Sequence, residues 1–221
     1  MISPTPPQVL ISRLQTFLDT IPQAVTPVLA TKYATAADIT AISSVFPHLI
    51  FGENRVQSGL EKQAICGDLP NDWHFIGHLQ RNKVKMVCAS YRLIQSVDSV
   101  RLLDAIHHAT PSDHPPQPVL LQINPLDTPT QYGLSESAIQ EIMAGRSTWS
   151  RVAINGLMGI APQTSDTELI KKTFKQIRQL YDNLNRHGAL LSVLSMGMSN
   201  DYRIAIDEGA TMIRIGSVIF K

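Results

Sequence analysis

Lys32 directly follows Val28-Leu29-Ala30-Thr31, an apolar run that reads as a strand. A lysine flush with the end of such a strand is expected to be partly desolvated, which lowers its pKa and enlarges the share of nucleophilic free amine. That chemistry is Schiff-base formation with a carbonyl compound. The same residue also fits a lysine that snorkels to solvent at a strand end. Two further segments bear on the choice. Ser195-Met196-Gly197-Met198-Ser199-Asn200 sets small residues and hydroxyls ahead of a helical segment, whose first N–H groups suit an anion. Gly216-Ser217 offers a second close backbone approach and another hydroxyl. Each also fits an ordinary helix cap or glycine turn. Arg214 interrupts Met212-Ile213-Arg214-Ile215-Gly216, and an arginine inside an apolar run needs a partner. Glu53, Asp98 or an acceptor atom on a ligand are the candidates.

These residues need a scaffold that brings them to one place. Eight short apolar or β-branched runs recur, at 27–31, 49–53, 73–76, 92–97, 119–123, 152–157, 190–195 and 212–215. Between them lie segments of helical period at 36–46, 56–65, 80–89, 100–109, 137–144, 168–187 and 201–208. Eight strands with seven intervening helices point to a closed parallel (β/α)8 TIM barrel. An open α/β sheet is the alternative arrangement. A barrel needs an eighth helix, and the amphipathic segment 9–18 ahead of the first strand is expected to fill that position. No proline- or glycine-rich linker divides the chain, so residues 1–221 read as one domain. In such barrels chemistry sits where strands end. Lys32, Glu53-Asn54, Gly77-His78, Ser96, Asp98, Asn124, Met158, the 195–199 loop and Arg214 with Gly216-Ser217 all fall at that one end.

Composition excludes several classes. Of 221 residues 43% are hydrophobic and 17% charged, an ordinary globular balance. Nineteen basic residues against eighteen acidic ones leave +1, with no electrostatic footprint for nucleic acid or an anionic membrane. The apolar runs are too short to span a bilayer, and Met1-Ile2-Ser3-Pro4-Thr5-Pro6-Pro7 lacks the features of a secretory signal. Cys66 and Cys88 read as buried thiols in a reducing compartment, and a soluble cytoplasmic protein is expected. His107, His108 and His114 lack metal-ligand spacing. Arg81, Lys83 and Lys85, the group Lys171, Lys172 and Lys175, and the neighbours Glu61 and Lys62 read as solvated charges.

Phe51-Gly52-Glu53-Asn54-Arg55-Val56-Gln57, followed by Trp73-His74-Phe75-Ile76-Gly77-His78-Leu79-Gln80-Arg81-Asn82-Lys83, closely resembles the pyridoxal phosphate homeostasis protein family. Leu194-Ser195-Met196-Gly197-Met198-Ser199-Asn200-Asp201, Gly209-Ala210-Thr211 and Ile213-Arg214-Ile215-Gly216 are equally similar. The resemblance implies a barrel of the alanine-racemase type that binds pyridoxal 5′-phosphate (PLP). It makes Lys32 the residue that holds PLP as a reversible Schiff base. It assigns Ser199, Gly216 and Ser217 to the phosphate, Arg214 to the pyridine nitrogen, and Asn54 and Met198 to the edge of the ring. Gln131 stands where relatives commonly carry a lysine.

An arginine facing the ring nitrogen donates to a neutral nitrogen and cannot accept its proton, which weakens the electron sink that transaminases and decarboxylases need. The implied role is a non-catalytic PLP carrier in vitamin B6 homeostasis and amino-acid and keto-acid balance. PLP and PLP-dependent apo-enzymes are the implied partners. The missing dimerising β-domain of the racemases implies a monomer. A minimal amino-acid racemase, with Lys32 as one base, and a cofactor-free Schiff-base aldolase are the competing readings.

Overall fold

The computed structural model describes residues 5–126 and 131–221. Residues 1–4 and 127–130, the latter just ahead of Gln131 in the chain, lie outside the described residues. Eight parallel strands close into a barrel in chain order. They are β1 Thr26–Ala30, β2 Ile50–Glu53, β3 Trp73–Phe75, β4 Leu93–Val97, β5 Gln117–Ile123, β6 Val152–Gly159, β7 Val193–Met198 and β8 Met212–Ile215. The last strand closes on the first with Val28 opposite Arg214 and Leu29 opposite Ile215.

Each strand presents alternate side chains to the two faces, and the apolar core divides accordingly. Val28, Ala30, Ile76, Leu93, Leu120, Met158 and Met212 pack together in the barrel interior. Leu29, Phe51, Phe75, Ile94, Leu121, Leu194 and Ile213 face outward into a second cluster under the helices. Both faces being buried explains why the strands read as nearly continuous apolar runs rather than as alternating ones. Period two also puts His74, Gln95, Ser195 and Arg214 in the interior, and all four are buried.

The helices are α1 Pro7–Leu18, α2 Ala36–Val45, α3 Val56–Cys66, α4 Val84–Ser90, α5 Val100–Ala109, α6 Glu136–Ala144, α7 Thr167–Arg186, α8 Tyr202–Asp207 and the single turn α9 Ser217–Phe220. The amphipathic helix α1 buries Leu10, Leu14 and Phe17 and packs against α2 and α9. Its Arg13 Nη1 donates to the Ile219 carbonyl at 3.2 Å, and Phe17 meets Tyr202 of α8 with ring centres 5.0 Å apart. The segment before the first strand therefore fills the eighth helix position. No described helix is long and apolar enough to cross a membrane.

Two elements have a boundary three or more residues from the sequence expectation, the others differing by two or fewer. Residues 81–83 form a 3-10 turn, and α4 begins only at Val84. The seventh strand starts at Val193 rather than at 190. Leu190 adopts φ 58° and is 88% exposed, while Leu191 is claimed by α7. Asn185 Oδ1 accepts from the Leu191 amide at 2.6 Å, and Tyr181 Oη donates to the Leu191 carbonyl at 2.7 Å. Those groups cannot also serve a strand ladder. The strand instead runs on through Met198, which pairs with Arg214 after a register shift.

Candidate functional site at the carboxyl ends of the strands

Lys32 does not end a strand; it lies in the 3-10 turn Thr31–Tyr33 just beyond β1. The side chain is exposed, so the desolvation expected of a lysine flush with β1 is absent. Its Nζ lies 4.7 Å from the centre of the Tyr33 ring, and Lys221 Nζ lies 4.9 Å from the same ring. The hydrogen bond with Lys32, supported by the charges of both lysines, holds the exposed Tyr33 phenol below its ordinary pKa.

The turn that carries Lys32 rests on a buried ion pair. Glu53, at the end of β2, is fully buried, and its Oε2 lies 2.8 Å from Lys62 Nζ. Lys62 also donates to the Thr31 carbonyl at 2.7 Å, and Thr31 Oγ1 donates to Glu53 Oε2 at 2.9 Å. The other carboxylate oxygen accepts from the Asn54 and Arg55 amides at 2.8 and 3.3 Å. One carboxylate thus fixes the backbone beside Lys32 and the backbone of Asn54. Lys62 is a structural cation rather than the surface charge expected, because α3 lays it against Glu53 nine residues earlier. Gly77 seats the same loop: a Cβ there would meet the Asn54 carbonyl oxygen at 2.0 Å.

The loops after β7 and β8 come together. Ser199 Oγ accepts from the Gly216 amide at 3.1 Å and from the Val218 amide at 3.3 Å. Gly216 lies against Ala30, two residues before Lys32, where a Cβ would stand 3.2 Å from the Ala30 Cβ. Gly197 reaches φ 92° near the end of β7, where the register shifts ahead of Ser199, a conformation suited to glycine. Ser199 and Ser217 are partly exposed, whereas Asn54 and Met198 are exposed. The buried Asp201 carboxylate caps this loop through the Met198 amide, and burial raises its pKa.

Arg214 is 5% exposed and pairs with neither carboxylate proposed for it. Glu53 faces Lys62 outside the barrel, and Asp98 Oδ2 instead lies 2.9 Å from His78 Nδ1. The guanidinium is held by neutral acceptors: Ser195 O at 3.0 Å, Ser195 Oγ at 2.7 Å and Gly159 O at 2.9 Å. Burial lowers its pKa to about 10 against the opposing pull of Asp201, so it remains a cation near neutral pH. His78 stacks on Tyr132 with ring centres 4.0 Å apart. Cys66 and Cys88 are half-buried rather than buried, and burial pushes the Cys88 thiol up to about 11. A separate polar cleft of about 800 Å3 between α6 and α7, including Asn124, Gln176, Gln179 and Arg186, involves neither Lys32, Ser199 nor Arg214. Among the described residues no cluster of His, Cys, Asp and Glu is arranged for a metal.

At the carboxyl ends of the strands, then, lie an exposed lysine just beyond β1, two backbone amides that both donate to Ser199 Oγ, and a buried arginine held by neutral acceptors. Residues 51–221 match the alanine racemase N-terminal domain family. A pyridoxal phosphate homeostasis protein of Aquifex aeolicus (strain VF5) is 38% identical over 172 residues, covering 77% of this chain and 75% of the relative. The chain belongs to the pyridoxal phosphate homeostasis protein family. The Escherichia coli (strain K12) protein of that name is 33% identical over 77% of this chain and 74% of its own. The solved structure of PipY from Synechococcus elongatus PCC7942, with PLP bound, superposes with a TM-score of 0.88 at 31% identity. It covers 96% of this chain and 100% of PipY. Alanine racemase of Clostridium difficile 630 shares the fold, with a TM-score of 0.82 at 14% identity, and this chain spans 56% of that enzyme.

Proposed function

We propose that this chain binds PLP reversibly through Lys32 and acts as a non-catalytic carrier, a single-domain monomer that keeps PLP available to PLP-dependent apo-enzymes in the cytoplasm. The observation that carries the reading is the junction of three strand ends. Gly216, tied to Ser199 Oγ, lies against Ala30 two residues before Lys32, and Arg214 leads into the same loop.

The residues fit the cofactor. The exposed Lys32 amine is open to an incoming aldehyde and to a competing amine, as reversible capture requires. The Gly216 and Val218 amides converge on the hydroxyl oxygen of Ser199, so an anionic oxygen that takes the place of that hydroxyl meets two donors aimed at one point. Arg214, a cation held by neutral acceptors, can offer the ring nitrogen a donor and nothing else. Asn54 and Met198 stand exposed at the same end, consistent with lining the ring. PLP bound there supplies a reactive aldehyde. The chain's part is to hold it by the amine, the hydroxyls and the guanidinium, with turnover disfavoured by an arginine where strong electron sinks place a carboxylate.

The test is the visible spectrum of the purified protein with added PLP, beside Lys32→Ala, before and after borohydride, with the reduced adduct located by mass spectrometry. A yellow wild type that fixes PLP to Lys32, and a variant that does not, is the expected result. A colourless wild type that takes up no PLP overturns the reading. The racemase alternative draws on one observation, the exposed imidazole of His78 held by Asp98 at the same end of the barrel. It requires solvent deuterium to enter the α-carbon of an amino acid, at a rate that His78→Ala abolishes.

A further inference from the structure

We propose that Ser195, Gln95 and His74 are positioning residues for Arg214, forming a one-directional hydrogen-bond chain through the barrel interior that fixes the donor presented to the ring of the ligand. The proposal rests on the PLP reading for its functional consequence, though not for the chain itself. Four buried side chains on four different strands line up. Arg214 Nη1 lies 2.7 Å from Ser195 Oγ. Ser195 Oγ lies 2.7 Å from Gln95 Oε1, and Gln95 Nε2 lies 3.0 Å from His74 Nδ1 and 3.2 Å from Met212 Sδ.

The direction follows from what each group can do. A guanidinium only donates, so Ser195 Oγ accepts from it and turns its single proton outward. That proton requires an acceptor, which sets the Gln95 carbonyl oxygen toward Ser195. The Gln95 amide nitrogen is then left facing His74, and it too only donates. His74 Nδ1 must therefore be an unprotonated acceptor, with the ring neutral and its proton on Nε2. Reversing any member would set two donors or two acceptors face to face in a buried site. Burial, with Arg92 adding to it, lowers the His74 pKa to about 4, in keeping with a neutral ring. Arg214 has no carboxylate within salt-bridge distance among the described residues, so these hydrogen bonds and the carbonyls of Ser195 and Gly159 set where it points.

Gln95→Met breaks the chain in its middle without touching Arg214, and Ser195→Ala breaks it at the guanidinium. Leu120→Ala, in the barrel interior but outside the chain, controls for loss of packing. The first readout is the imidazole nitrogen NMR of the ligand-free wild type at pH 7. His74 is expected to show an unprotonated Nδ1 and a protonated Nε2, and a charged ring or the opposite tautomer overturns the chain. The second readout is PLP affinity and the visible absorption maximum of the bound form. Both chain variants should bind PLP about tenfold more weakly, the worth of about one hydrogen bond. They should also shift the maximum, whereas Leu120→Ala should lower the melting temperature and leave the maximum in place. Wild-type affinity and an unchanged maximum in Ser195→Ala overturn the positioning role. If Gln95→Met does not fold, Ser195→Ala and the wild-type NMR decide the question. A wild type that takes up no PLP defeats the function proposed above, while the His74 tautomer still tests the chain.

Discussion

Replacing Lys62 by methionine removes the cation from a carboxylate that has little access to water. Glu53 and Lys62 have side chains 1% and 14% exposed, with N and O 2.8 Å apart. At an effective dielectric of about 20, two charges at that separation attract by about 6 kcal/mol. Part of this offsets the desolvation of the lysine, which the variant no longer suffers. A net loss of about 3 kcal/mol is therefore expected, in line with buried pairs broken by removing one partner. For a chain of this size that lowers the melting temperature by about 6–12 °C. Equilibrium urea unfolding followed by circular dichroism measures the loss. Glu53→Gln with Lys62→Met should recover much of it, because the amide keeps an acceptor for the Asn54 and Arg55 amides without a buried charge. Since Lys62 also holds the Thr31 carbonyl beside Lys32, the single variant should weaken PLP binding as well as stability. A Lys62→Met protein within about 0.5 kcal/mol of wild type, with no coupling in the double variant, would refute the reasoning.

Three other expectations follow from burial and close contact. His74 is neutral in the fold, with its pKa lowered from 6.5 to about 4. The unfolded chain therefore binds more protons between those values, and the stability this residue contributes is complete above pH 6.5 and lost as pH falls toward 4. Relative to His74→Gln, wild type should lose about 3 kcal/mol over that window, measured by urea unfolding at each pH; parallel curves for the two proteins would count against a neutral buried ring. Gly77→Ala forces a Cβ into the Asn54 carbonyl and should cost about 3 kcal/mol with weakened PLP uptake, and a variant as stable as wild type would show that the loop yields freely. Cys88, raised from 9.0 to about 11 by burial, should react with a disulfide reagent at pH 8 about a hundredfold more slowly than a free thiol, and a rate equal to free cysteine would show that it is open to water.

The barrel was legible because its strands are apolar on both faces and its helices on one. The helix in the eighth position was legible from the 9–18 pattern, and the polar strand ends marked the side where Lys32, Ser199 and Arg214 collect. What the chain could not disclose is pairing between residues brought together by closure. Ser195 and Gln95 are a hundred positions apart, and only the curvature of the sheet sets them face to face. His78 with Asp98, and Glu53 with Lys62, are nearer in sequence, yet their choice of partner depends on which face of a strand or helix each one takes. The beginning of β7 was hidden for another reason. Leu190 and Leu191 are as apolar as a strand, but side chains of α7 had already taken the backbone groups a strand would use.

Ser199 carries a consequence for kinetics. Its hydroxyl oxygen accepts from both the Gly216 and the Val218 amides. A site whose donors are already satisfied does not collapse or reorganise when its occupant leaves, and it does not grip the next one with the full strength of two bare amides. Both effects favour turnover of occupancy over tight retention: arrival meets a preorganised surface, and departure strands no buried group. For the carrier proposed above, which must surrender what it holds, residence time matters more than affinity, and on that proposal a single serine side chain helps to set it.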